Sequence, residues 1–133
     1  MPKVEGSDAG SSIDEDFEKL LADRTPEVAA TARALRTAVR EALPDAVQQV
    51  DFPDGLLAIG TGTKLRDQLF AIVPHKAHVN LQLVDGVDLP NPASIVEGTG
   101  KRIRHVKVLS AEMAESTAVR LVIDAQVQFR RPT

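Results

Sequence analysis

The sequence predicts an α+β domain: an antiparallel sheet of about five strands, flanked by N-terminal helices and a C-terminal helix. Three observations predict it. Two segments with helical apolar spacing precede Val47. From Val47 to Val108 the pattern switches to short apolar runs divided by turn residues. From Ala111 to Arg130 no turn residue interrupts the chain. Consecutive strands joined by short turns pair antiparallel, and helices gathered before and after them give the α+β class.

Met1 to Ser12 is rich in Gly, Ser, Asp and Pro and reads as a flexible tail. Residues 13–130 then form one domain. Ile13 to Asp23 reads as a short helix with Ile13, Phe17, Leu20 and Leu21 on one side. Thr25-Pro26-Glu27 starts a second helix: Thr25 caps, Pro26 suits the first helical position and Glu27 the first turn. Val28, Ala32, Leu35, Val39 and Leu43 are its apolar stripe, ending before Pro44. Arg33, Arg36 and Arg40 fall mostly on other faces and read as solvated surface.

Val47 to Phe52 reads as an edge strand ending at the Pro53-Asp54-Gly55 turn. Leu56 to Ile59 is a second strand, Leu69 to Val73 a third. Val79, Leu81 and Leu83 alternate with Asn80 and Gln82, so the fourth strand buries one face. Asp85 to Ala93 reads as a loop, and Ile103 to Val108 as the fifth strand. The end fits two periods. Val119, Leu121, Ile123, Ala125, Val127 and Phe129 alternate as in a strand, while Ala118, Leu121, Val122, Ala125 and Phe129 fit helical spacing. Length favours a helix, capped by Ser110 and closed by Arg130 and Arg131 before Pro132.

A chain of 133 residues is one domain's length. Its apolar share of 43% is that of a globular protein. With four Phe and no Tyr or Trp, base stacking has little to work with, and the net charge of −3 argues against nucleic acid as a partner. The absence of cysteine excludes disulfides, thiolate metal sites, iron–sulfur clusters and a Cys nucleophile. It fits a cytoplasmic protein. Apolar runs are far too short for a membrane span, and the polar start is no secretory signal.

Gly98-Thr99-Gly100-Lys101-Arg102-Ile103-Arg104-His105-Val106-Lys107 packs four Lys/Arg and one His into ten residues without an acid. Two readings compete. Gly98 and Gly100 let backbone N–H groups converge beside Lys101 and Arg102, which suits an anion. The plainer reading is a hairpin turn entering a strand with a solvated basic face. It is not a phosphate-binding P-loop, since Ile95 stands where that motif needs Gly and Arg102 where it needs Ser or Thr. Gly60-Thr61-Gly62-Thr63-Lys64 fails the same test.

His75-Lys76-Ala77-His78, with His105, accounts for every histidine. Three imidazoles suit zinc or iron only if the fold gathers them, and Lys76 between two of them repels a cation. Lining an anion or carbonyl site beside Lys101 is the better functional reading, with plain structural histidines the commonest alternative. Asp14, Glu15, Asp16 and Glu18 form an acidic cluster in a segment, Met1 to Glu27, holding eight acids against three bases. Carboxylates suit hard cations, but a solubilising acidic N-terminus is the plainer account. No Gly-x-Ser-x-Gly elbow occurs, and no spacing pairs carboxylates for acid–base work.

Leu35 to Val50, Pro74 to Leu81 and Glu97 to Lys107 together resemble the YdhG-like domain family, of mostly unknown function, over roughly residues 13–130. The Gly-x-Gly-Lys-x-x-Arg-His and His-Lys-x-His runs carry the resemblance. It implies a small α+β protein with a terminal helix at each end packed on an antiparallel sheet. Some members are described as frataxin-like iron chaperones, which implies iron held on surface carboxylates, here Asp14, Glu15, Asp16 and Glu18. Phe52-Pro53-Asp54-Gly55 departs from the aromatic or Met-Pro segment usual after the first strand.

The leading expectation is a non-catalytic binding module without a cofactor. It holds a small anionic ligand or an acidic partner at Gly98, Gly100, Lys101, Arg102, Arg104 and His105, with His75 and His78. The alternatives are an iron-binding chaperone and a protein–protein interaction module.

Overall fold

A computed structural model describes residues 9–131. Helix α1 (Ala9–Leu21) and helix α2 (Pro26–Ala42) come first. Helix α1 therefore takes in residues 9–12, which the sequence assigns to the tail; residues 1–8 of that tail lie outside the described residues. Six strands follow: β1 (Val47–Asp51), β2 (Leu56–Gly60), β3 (Gln68–Pro74), β4 (Val79–Leu83), β5 (Val96–Glu97) and β6 (Arg104–Val108). They form one antiparallel sheet in the order β1-β2-β3-β4-β6-β5. Helices α3 (Ala111–Ala114) and α4 (Thr117–Arg130) close the chain.

Local chemistry sets the helix ends. Thr25 Oγ1 accepts the Val28 N–H, satisfying one donor that the first turn leaves without a partner. The expected single C-terminal helix is two. Glu115 and Ser116 end α3, and Ser116 Oγ then accepts the Val119 N–H and starts α4 afresh. Ser110 caps α3 as expected, accepting from Met113.

One sheet face carries the core. Leu57, Ile72, Leu81 and Val106 stand in one cross-strand row, and Ile59, Phe70 and Leu83 in the next. All seven are fully buried. Helix α2 covers them with Val28, Ala32, Leu35 and Val39, and α1 adds Phe17, Leu20 and Leu21. The opposite face carries Gln49, Val73, Asn80, Gln82, His105 and Lys107, which are half-buried or exposed. The helices thus pack on one side, and the other side of the sheet is open.

Two sequence expectations shift here. Arg36 is not solvated surface: its side chain is only 12% exposed, lies 5.1 Å from the Phe17 ring centroid, and binds Asp14 and Gln48. The buried stripe of α4 is Val119, Val122, Ile123 and Gln126; of the expected Ala118, Leu121, Val122, Ala125 and Phe129, only Val122 belongs to it.

Candidate functional site

The basic run divides when it folds. Strand β5 pairs with β6 so that Glu97 faces His105, and Gly98 turns away with φ of +122°, a conformation open to glycine. A Cβ at Gly98 would stand 3.3 Å from His105 Nδ1, so the turn packs directly on that ring. Gly100 carbonyl oxygen accepts from Arg104 Nε at 2.7 Å, which closes the turn on itself. Lys101 is exposed at the turn.

Arg102 leaves for the other side of the structure. Its Nε and Nη2 donate to Asp85 Oδ1 at 3.1 and 2.8 Å. Asp85 is the buried centre of a clasp: its side chain is 3% exposed. Gln126 Nε2 donates to Asp85 Oδ2 at 2.7 Å, Gln126 Oε1 accepts the Asp85 N–H at 2.9 Å, and Arg130 Nε lies 2.7 Å from Oδ2. Burial alone would raise the Asp85 carboxyl. Hydrogen bonds from Gln126, Arg102 and Arg130 overcome burial and hold it below its ordinary 3.8. The clasp joins the end of β4, the basic turn and the end of α4. It is a structural tie that engages Arg102, whose side chain stays 61% exposed.

Strand alternation sends His105 and Lys107 the opposite way, onto the open face. His105 pairs across with Gln82, and Lys107 with Asn80. Beside them the β3–β4 hairpin closes with the His75 N–H donating to the His78 carbonyl at 2.8 Å. The His75 and His78 rings stack with centroids 4.7 Å apart and 19° between planes. Asn80 Nδ2 approaches His75 Nε2 at 3.3 Å. Thus His75, His78, Asn80, Gln82, His105 and Lys107 share one surface. The acid against it is Glu97, 3.6 Å from His105 Nε2.

The fixed charges of that surface are Lys107 and Glu97, with three histidines between and beside them. Partial burial lowers the affinity of His78 for a proton below the ordinary value, and the charges of His75, Lys107 and His105 push the same way. Asn80 pulls against them, since its carbonyl oxygen favours a protonated neighbour. Asn80 Oδ1 is buried and has no hydrogen-bond partner at ordinary length, so a protonated His78 turned toward it would supply one. None of these residues lines the surface pockets found along α1, α2, α4 and β1; the patch is open sheet.

Of the residues expected at one site, the structure therefore gathers His75, His78 and His105, with Gly98 against His105. Arg102 is tied to Asp85, Arg104 to the Gly100 carbonyl, and Lys101 stays on the turn. Sequence reasoning missed Asn80 and Lys107 as members, although both lie on the alternating positions of recognised strands. It also missed Asp85. The signal was Gln126, one polar residue in the apolar stripe Val119, Val122, Ile123.

Two of the four acids in the cluster are committed to α2. Arg33 donates twice to Glu18, at 2.7 and 2.9 Å, and that hydrogen bonding holds the Glu18 carboxyl below its ordinary 4.5. Arg36 donates to Asp14 at 2.7 Å. Glu15 is exposed and Asp16 half-buried. Among the described residues no group of three or more His, Asp or Glu is placed to hold a metal ion, and no helix is long and apolar enough to cross a membrane. Comparison with protein-family models, curated proteins and solved structures finds no match for this chain.

Proposed function

We propose that this protein is a non-catalytic binding module that holds an anionic group on its open sheet face, at His75, His78, His105 and Lys107. The anion is a small oxyanion, carried by a free ligand or by an acidic partner. One observation carries the reading: two histidines of the β3–β4 turn and a histidine and a lysine of β6 share one uncovered surface, with Glu97 against His105. Protonation of His78 is the coupled event. An anion beside it offsets the repulsion from His75, Lys107 and His105 and raises its affinity for a proton.

The resemblance to YdhG-like domains belongs to this proposal, supported by terminal helices packed on one face of an antiparallel sheet. So does a cytoplasmic location, which the lack of cysteine favours. An iron-handling role would first have to open the Arg33–Glu18 and Arg36–Asp14 pairs.

Calorimetric titration with sulfate tests the proposal, because sulfate keeps its charge while histidines titrate between about pH 5 and 8. The expected result is saturable binding near pH 6 that is at least about tenfold weaker in His78→Ala/Lys107→Ala. Equal binding by the wild type and the double variant would overturn it.

A further inference from the structure

The apolar stripe of α4 that does not face the core is not simply exposed. Ala118, Leu121 and Ala125, with the edge of the core residue Val122, form one wall of a pocket of about 210 Å³, and Pro90 to Ala93 with Ile95 form the other. No charged side chain lines it. Asn91 is the one lining residue with a polar side chain, and both ends of its amide are already used. Its Nδ2 donates to the Val96 carbonyl at 2.9 Å, and its Oδ1 accepts the Val96 N–H at 3.1 Å.

Those bonds also explain why the loop stands away from the helix. Pro90 and Pro92 fix two backbone angles. The Asn91 clamp ties the loop to the start of β5, and the Ser94 N–H returns to the Asn91 carbonyl at 3.1 Å. Ser94 is held at φ of +56°, the only non-glycine residue at positive φ among the described residues. Leu121, on the helix wall of the recess, is 56% exposed. Backbone held in a sparsely populated conformation persists where the surroundings over-determine it. Here the result is a preformed apolar recess.

We infer that this pocket binds a small uncharged hydrocarbon group, a ring or short alkyl chain of about six carbons. Size and chemistry both set the class. A cavity of about 150 Å³ lined by apolar side chains is enough to hold benzene, so 210 Å³ accommodates one such group and not a drug-sized ligand. With no charged side chain in the wall and its one polar side chain already bonded, a ligand's charged part is left outside. The site is separate from the histidine surface, so the two proposals stand or fall independently.

Methyl-detected NMR titration with benzene and with 1-hexanol tests it on the full chain. The expected result is saturable shifts at Ile95, Leu121 and Val122 methyls for at least one probe, with a midpoint on the order of 1 mM or tighter. Ala118→Leu and Ala125→Leu each fill the recess from the helix side, and binding should weaken at least about tenfold in whichever variant folds. No saturable shift with either probe overturns the inference. So does unchanged binding in a folded, filled variant, or a concentration-dependent shift of the same methyls without probe, which would mark contact between copies of the chain.

Discussion

The turn at Gly98–Arg102 and the strand at Arg104–Val108 are neighbours in sequence and carry the same kind of charge, yet they do opposite work. Arg102 reaches a carboxylate that is almost wholly buried and spends its charge on holding β4, the turn and α4 together. His105 and Lys107 point to open solvent and meet the His75–His78 hairpin there. A basic run is therefore not one site. The strand's period of two and the position of one buried acid decide which charges are structural and which stay available.

The largest expected effect breaks the structural half. Asp85→Ala leaves buried Gln126 and half-buried Arg130 without their acceptor, and should cost about 3 kcal/mol in urea unfolding. The sulfate response of the histidine surface should persist wherever the variant is still folded. Loss of the Asp85 charge by acid is the milder form of the same test. The folded carboxyl lies below its ordinary value, so the stability it contributes is present above about pH 4 and is lost as pH falls through the lower folded value.

Arg102→Ala removes only one partner, and one that is 61% exposed, so a loss of about 1 kcal/mol is expected. Sulfate affinity should stay within about twofold of wild type, where the original grouping of Arg102 with His105 would require a clear loss. Lys107→Ala is the mirror case: sulfate binding weakens several-fold, and unfolding free energy moves by less than about 0.5 kcal/mol. The smallest effect is the histidine contribution to stability. His78 binds its proton less readily folded than unfolded, so stability is complete above about pH 6.5 and declines slightly as pH falls through that value. Saturating sulfate should reduce that decline.

Much of the frame is legible from residue patterns. Thr25-Pro26-Glu27 marks the start of α2 because its cap chemistry is local. The alternation at Val79–Leu83 assigns a buried and an open face because period two is a property of the strand alone. What escapes sequence reading depends on partners. Strand β5 is two residues long and exists only by pairing with Val106 and His105. Ser116 breaks the C-terminal helix within a stretch that propensity alone would leave continuous. Asp85 reads as a loop residue until Gln126 and Arg130, more than forty positions away, close on it. For the candidate site, the histidines were legible as a pair of motifs. Their separation from Arg102 was not, because it is fixed by that distant acid.

The most direct measurement is a map of backbone and imidazole NMR shifts during sulfate titration near pH 6, read on both sides of the sheet. The account predicts saturable shifts at His75, His78, His105 and Lys107, with Asp85, Arg102 and Gln126 unmoved. Shifts centred on Lys101, Arg102 and Asp85, with the histidines silent, would contradict it.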